Sequence, residues 1–260
     1  MVIITSNQRD IIFDAVRAMY TEVATTPSQE FHFPTGMAAC ELVGYPADRL
    51  AALPAAAVES FAGVGYPFLA DVLRAGDVVL DVGSGSGTDA LIASAIVGSR
   101  GRVIGLDMTA AMRAKLRATA AAVNAHNVEV VEGNAERMPL PDESVDVVTS
   151  NGVLNLVPDK LAAVREIWRV LRPGGHVQIA DIIVATTPSD ACRAQPQLWA
   201  ECIVGATRED DYLELFRGQG FEAVECLRRQ DYFAHSTNEE TRNVAGSFGA
   251  GAFVMKALKG

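Results

Sequence analysis

A chain of 260 residues with 49% hydrophobic and 21% charged content is long enough to bury a full core and reads as one main folded domain. Its net charge of -10 comes without any Lys/Arg cluster, which argues against nucleic acid or an anionic membrane as partner and favours a small-molecule substrate. Four cysteines, at 40, 192, 202 and 226, show neither Cys-x-x-Cys spacing nor a nearby His pattern, so no metal site is expected and free thiols are the default.

In chain order, the first ten residues lack the basic flank and long apolar core of a targeting or membrane segment, and the expected compartment is the cytoplasm. A helix-prone segment at 9–20 leads through an irregular polar stretch to a second helical patch at 37–43. Residues 1–70 are expected to form a helical cap or lid, and 71–260 the main domain. Phe31, Phe33, Tyr45, Phe61, Tyr66 and Phe68 concentrate in that front third, where a lid is apolar inside or packs as ordinary core.

Residues 78–87 then read Val-Val-Leu-Asp-Val-Gly-Ser-Gly-Ser-Gly. The run 78–82 has the length and β-branched content of a buried strand, and Gly83, Gly85 and Gly87 let the chain turn sharply, close to a ligand, before a helix at about 87–97. A second apolar strand, 102–107, ends in Asp107, placed where a carboxylate accepts both hydroxyls of a ribose. The glycines run G-x-G-x-G behind Asp81, not the G-x-G-x-x-G of a pyrophosphate-binding turn. Beyond them the pattern predicts a helix at 109–123, strands at 127–132 and 145–150, a helix at 159–171 and a strand at 175–182. This alternation predicts an α/β fold, a Rossmann-like doubly wound and mostly parallel sheet. An irregular or helical insertion at about 185–210, a helix at 210–219 and strands near 221–230 and 250–258 complete the chain, the last two closing the sheet with an antiparallel edge.

On the segment from Asp81 to Gly87, on Asp107, on Gly133-Asn134-Ala135-Glu136 and on Leu171-Arg172-Pro173-Gly174-Gly175, the chain resembles the class I S-adenosylmethionine-dependent methyltransferases. The resemblance implies S-adenosyl-L-methionine as cofactor. It places the methionyl part against Asp81, Gly83, Ser84, Gly85 and Gly87, the ribose at Asp107 and the adenine at Asn134 and Ala135, with Met108 and Asn151 beside them. The family more often has Asp where this chain has Asn134, and Asn still offers an acceptor to the adenine amino group. Tyr66, just ahead of the glycine loop, is the aromatic expected near the sulfonium, with core packing as the competing reading.

The stretches 42–46, 61–67, 97–109, 150–160 and 199–202 are further similar to the arsenite methyltransferase branch. Members of that branch hold trivalent arsenic through cysteines, because thiolates suit a soft metalloid. Here the set is broken: the resemblance puts cysteines where this chain has Val64 and Gly152, and Cys202 alone is retained cleanly, with Cys40 in a region where some members also carry one. Cys202 reads either as a small buried hydrophobe or, with Trp199, as part of the acceptor pocket. Cys192 and Cys226 read as structural or incidental.

The reading is therefore a methyltransferase acting on a small molecule by in-line displacement, for which the protein mainly holds the acceptor lone pair close, in line and dry. Should the acceptor need a base, the candidates are His32, His176, Asp181 and His235, each with a structural reading beside it. A divergent arsenite methyltransferase using fewer thiols, and a non-catalytic protein that binds S-adenosylmethionine or a metalloid, are the alternatives. The acceptor and the oligomeric state are not legible in the sequence.

Overall fold

The computed structural model describes residues 5–189, 192, 199, 203–236 and 238–260. Its centre is a seven-stranded sheet in the order β3-β2-β1-β4-β5-β7-β6. The strands are β1 (Val78–Val82), β2 (Arg102–Asp107), β3 (Val128–Glu132), β4 (Val145–Asn151), β5 (Leu171–Ile183), β6 (Phe221–Gln230) and β7 (Gly251–Lys259). β1 to β5 run parallel, and β7 is antiparallel to both of its neighbours. The expected antiparallel closure is thus present, with β7 inserted between β5 and the edge strand β6.

The chain passes outward from β1 to β2 and β3, then returns to β4 on the other side of β1. That reversal leaves a crevice beyond the carboxyl ends of β1 and β4, which is where an open α/β sheet takes its ligand. β1 and β4 are almost wholly buried because helices cover both faces.

Helices accompany the sheet as α1 (Ser6–Thr25), α2 (Gly36–Leu42), α3 (Ala47–Ala51), α4 (Ala55–Val58), α5 (Thr88–Val97), α6 (Ala110–Ala122), α7 (Lys160–Val170), α8 (Glu209–Gln219) and α9 (Glu239–Phe248), of which α1, α5 and α6 line the crevice. α1 starts with a capping box in which Thr5 and Gln8 bond each other's backbone N–H groups, and it buries Ile12, Phe13, Val16 and Val23. It packs on α6, where Lys115 donates to the carbonyl of Ala24 and to Ser60 Oγ and pairs with Glu59. α7 buries Ala163, Val164, Ile167 and Val170 along one stripe behind an Asp159 N-cap.

Two elements differ from expectation. β5 begins at Leu171, because the chain stays in the sheet through a bulge around Pro173-Gly174-Gly175, where Pro173 has no N–H to give the ladder. α9, in a stretch to which the sequence pattern assigns no element, forms behind Asn238, whose side chain accepts from Thr241 N, with Glu239 and Glu240 in the first turn.

Candidate active site

The glycine loop leaves β1 with Gly83, Gly85 and Gly87 all at positive φ, +72°, +52° and +102°. The loop is drawn over the end of β2: Gly83 N and Ser84 N donate to the Leu106 carbonyl, and Gly85 N donates to Asp107 Oδ2 at 2.9 Å. A Cβ on Gly83 would stand 2.3 Å from Val153 Cγ2, whereas one on Gly85 would meet nothing nearer than the Met112 sulfur at 4.0 Å. Gly83 is required by protein packing, and Gly85 leaves its space to whatever enters the crevice.

That crevice encloses about 940 Å³, mouth included. Asp81, Gly83, Ser84, Gly85, Asp107, Met108, Asn134, Ala135 and Asn151 all line it, so sequence residues spread over seventy positions are brought to one wall. Phe13, Val16 and Tyr20 of α1 and Phe61 close the opposite side with apolar surface. Asp89, in the first turn of α5, lines it as well.

The electrostatics of the lining are one-sided. Asp81 is 2% exposed, Asp89 6% and Asp107 8%, and among the described lining residues there is no Lys, Arg or His. Asp81 Oδ2 and Ser84 Oγ have no protein hydrogen-bond partner. Burial, with Asp89 and Asp107 nearby, pushes the Asp81 carboxyl well above the usual carboxylate range. Burial likewise carries Asp89 up to about 6, against hydrogen bonds from Tyr45 and Asn151 that favour its charge. It raises Asp107 too, opposed by the backbone donors of Thr109 and Gly85. Buried carboxyls of this kind are stabilised by a positively charged ligand.

Asp107 accepts from Thr109 N through Oδ1 at 2.7 Å and from Gly85 N through Oδ2, which fixes its plane at the end of β2. Asn134 Oδ1 accepts from Glu136 N at 3.0 Å and Arg137 N at 3.1 Å, closing a turn. These two donors decide which end of the amide is oxygen. The expected free acceptor toward an adenine amino group is therefore already engaged, and Nδ2, a donor, is the end left over.

Asn151 does more than line the wall. Its Oδ1 accepts from Val64 N and Gly65 N, while Nδ2 lies within bonding distance of the Gly65 carbonyl, Tyr45 Oη and Asp89 Oδ2. Tyr45 Oη in turn donates to Asp89 Oδ1. Tyr45 and Asp89 were not singled out as site residues, although Tyr45 lay inside the 42–46 stretch already noted. An acid two residues beyond the last glycine, in the first turn of a helix, is the signal that could have pointed to Asp89.

Tyr66 is a correction: its ring packs 4.8 Å from Tyr45 and 5.5 Å from Phe68, outside the lining of the crevice. Trp199 is also outside it, 3% exposed, with Lys160 Nζ over its ring at 5.4 Å. Cys202 lies outside the described residues.

Three of the four base candidates lie outside the crevice lining. Asp181 is fully buried and accepts from Asn155 N, Ile182 N and Tyr212 Oη, stapling β5 to the 154–156 turn and to α8. His176 sits near the amino end of the parallel part of β5, opposite Val147 and Leu258. His32 meets Phe33 edge-on, and burial lowers its pKa. None of these three lines the crevice. His235 falls in the turn Phe233–His235, and its side chain lies outside the described residues.

The positions of the missing thiols are neighbours. A Cβ built on Gly152, at φ +71°, would lie 3.4 Å from Val64 Cγ1. Cys40 is fully buried in the apolar core, and burial beside Asp89 pushes its thiol up to about 12. No group of three His, Cys, Asp or Glu side chains able to hold a metal occurs among the described residues, and no described helix is long and apolar enough to cross a membrane.

The buried acids set a pH dependence. An acid whose folded pKa lies above its ordinary value of 3.8 stabilises the fold fully only below that value, and the contribution is lost as pH rises through the folded pKa. Asp89 and Asp181 are both raised to about 6 by burial. The ligand-free protein is expected to lose stability between about pH 4 and pH 7, by roughly 2–3 kcal/mol for each group. Urea midpoints across that range test this, and Asp181→Asn should flatten its share of the slope. A profile that Asp181→Asn leaves unchanged contradicts the assignment.

A family model described as a methyltransferase domain matches residues 73–220. An arsenite methyltransferase of Halobacterium salinarum is 40% identical over 74% of this chain and 49% of its own length. The chain spans about half the length of the curated relatives it matches. An arsenic(III) S-adenosylmethionine methyltransferase from Chlamydomonas reinhardtii superposes with a TM-score of 0.64 at 30% identity, over 87% of this chain and 74% of that one. A geranyl diphosphate C-methyltransferase from Streptomyces coelicolor superposes with a TM-score of 0.65 over 96% and 98% of the two chains. At 18% identity that likeness shows the fold alone.

Proposed function

We propose that this chain, which belongs to the methyltransferase-domain family, transfers the methyl group of S-adenosylmethionine to a small, uncharged acceptor held in the crevice beyond β1 and β4. The observation that carries the reading is the one-sided lining: three buried carboxyl groups, an unpartnered Asp81 Oδ2 and no basic side chain among the described lining residues. Such a wall favours a cationic donor and disfavours an anionic acceptor.

When bound, the cofactor supplies a methyl group on positively charged sulfur, open to displacement by a lone pair. Asp107 would accept the ribose hydroxyls, held in plane by Gly85 N and Thr109 N. Asn134 Nδ2, the Ala135 backbone and the Met108 side chain would bound the adenine. Asp81 and Ser84 would take the donors of the methionyl end through their unpartnered oxygens. Phe13, Val16, Tyr20 and Phe61 exclude water and leave the acceptor in an apolar surround, where proximity and alignment carry the reaction. We further assign the protein to the cytoplasm, with a small molecule as partner and neither nucleic acid nor membrane. The charge of -10 supports the exclusion of nucleic acid and of an anionic membrane.

A second reading, a metalloid methyltransferase using fewer thiols, is favoured by the arsenite methyltransferase relatives and opposed by Val64 and Gly152. Calorimetric titration with S-adenosylmethionine and S-adenosylhomocysteine, alone and with trivalent arsenic, separates the readings. Cofactor binding without a response to arsenic supports the main one. A thiol-dependent response with methylated product supports the second, and binding without turnover of any acceptor would leave a binding protein. Absence of cofactor binding sinks both methyltransferase readings and leaves only a metalloid-binding protein.

Asn134→Asp offers a finer check. One carboxylate oxygen keeps the bonds from Glu136 N and Arg137 N, and the other replaces Nδ2 with an acceptor for the adenine amino group. Cofactor affinity is expected to rise about three- to tenfold. Unchanged or weaker binding by calorimetry would place the adenine elsewhere.

A further inference from the structure

Asp89 is a buried carboxyl of the crevice lining that is bonded to side chains of two other segments of the chain, Tyr45 and Asn151. It lines the same wall as Asp81 and Ser84, whose Oδ2 and Oγ are buried there without protein partners. Its own oxygens are held from behind, Oδ1 by Tyr45 Oη and Oδ2 by Asn151 Nδ2 at 3.0 Å. Asn151 then grips the backbone of Val64 and Gly65. Gly63, just ahead of them, is pressed so tightly that a Cβ would lie 2.5 Å from Asn151 Nδ2 and 2.4 Å from the Phe61 ring. No Lys or Arg is hydrogen-bonded or ion-paired to Asp89 among the described residues, so its charge is directed by neutral donors only.

We propose that Asp89 is the counter-charge of the sulfonium, and that Tyr45 and Asn151 fix it and thereby tie the charge of the methyl donor to the 63–65 segment, whose Gly63 lines the crevice. The proposal rests on the reading of the crevice as an S-adenosylmethionine site, and it goes beyond that reading by giving the chain a means to distinguish the charged donor from its neutral product. S-Adenosylmethionine and S-adenosylhomocysteine share adenosine, amino and carboxylate groups and differ at sulfur by a methyl and a unit positive charge. A carboxylate in a water-poor wall separates them by that charge, whereas Asp107 and Asn134 treat them alike. After transfer the sulfur is neutral, the attraction to Asp89 is lost, and product leaves more easily than substrate.

The groups that face Asp89 are Tyr45 from the α2–α3 connection, Cys40 from α2, Tyr66 ahead of the glycine loop, Asn151 from β4 and Asp81 from β1. Burial carries Asp89 up to about 6, so the test is made at pH 8, where it is ionised.

The experiment is calorimetry of S-adenosylmethionine and S-adenosylhomocysteine with wild type, Asp89→Asn and Tyr45→Phe. Wild type is expected to prefer the charged ligand by about tenfold, and Asp89→Asn to abolish the preference chiefly by weakening S-adenosylmethionine. Tyr45→Phe keeps the carboxylate and should keep most of the preference at pH 8. Binding of S-adenosylhomocysteine by Asp89→Asn is its own control for folding, and should that variant not fold, the wild-type preference decides. Equal wild-type affinities for the two ligands, or equal loss of both in Asp89→Asn, overturn the proposal while leaving the cofactor site intact. Wild type that binds neither overturns the cofactor site itself, and this inference with it.

Discussion

Asp107→Ala is expected to weaken S-adenosylmethionine binding by about a hundredfold, the largest loss of any single substitution in the crevice. The carboxylate is 8% exposed and does three things at once. In the proposed function it would take the ribose hydroxyls, and in the protein it anchors Gly85 N in the middle of the glycine loop and accepts from Thr109 N at the start of α6. Removing it leaves both backbone donors without their partner and frees the loop at its one residue with open space above it. Asn is no gentle substitute here. Whichever way its amide turns, the NH2 end faces either Gly85 N–H or Thr109 N–H, donor against donor. Asp107→Asn should thus fall nearer to Ala than to wild type. Calorimetry gives the affinities, and a thermal melt of each variant separates a lost ligand contact from a lost fold. Cofactor affinity unchanged in Asp107→Ala would remove the ribose assignment.

Val64→Cys with Gly152→Cys is expected to give the protein a response to trivalent arsenic that wild type lacks, with affinity raised by about a hundredfold or more for the pair and little for either alone. The geometry supports the pair: the two side-chain positions approach within 3.4 Å, on strand end and facing loop. The cost falls mainly on position 152, where φ is +71° and a side chain is strained by about 1–2 kcal/mol. Val64, 2% exposed, loses little more than a methyl group. Tight arsenic binding by wild type would show that other thiols already do this work, and would favour the metalloid reading over the main one.

The strands and helices nearest the crevice were legible for a physical reason. Val78–Val82 and Arg102–Asp107 are runs buried on both faces and ended by glycine or acid, so their limits coincide with changes of residue type. β5 was read too short because Pro173-Gly174-Gly175 looks like a break in the sequence, and only pairing with β4 shows the chain bulging and continuing. The expected cofactor-side residues came from local spacing, and all but Gly87 line the crevice; Gly87 faces the protein instead, where a Cβ would stand 2.4 Å from Leu116. The Tyr45, Asp89 and Asn151 assembly joins residues 44 and 106 positions apart, and no local pattern tells which of six aromatic residues meets an acid. Tyr66 was favoured because it stands nearer the glycine loop in sequence, yet Tyr45 is the ring that reaches the acid, and Tyr66 meets the Tyr45 ring edge-on.

The insertion of β7 between β5 and β6 has a consequence for how the chain is made. β6 is synthesised before the strand it leans on, so it emerges with no seat: β5 is its neighbour only through β7. Until Gly251–Lys259 has left the ribosome, β5 presents an open ladder of unpaired backbone groups and β6 stays detached. The nascent protein therefore passes through an interval in which two strand edges are exposed together. In that interval association with another copy competes with folding, and a synthesis halted ahead of β7 should yield aggregate rather than a smaller soluble domain.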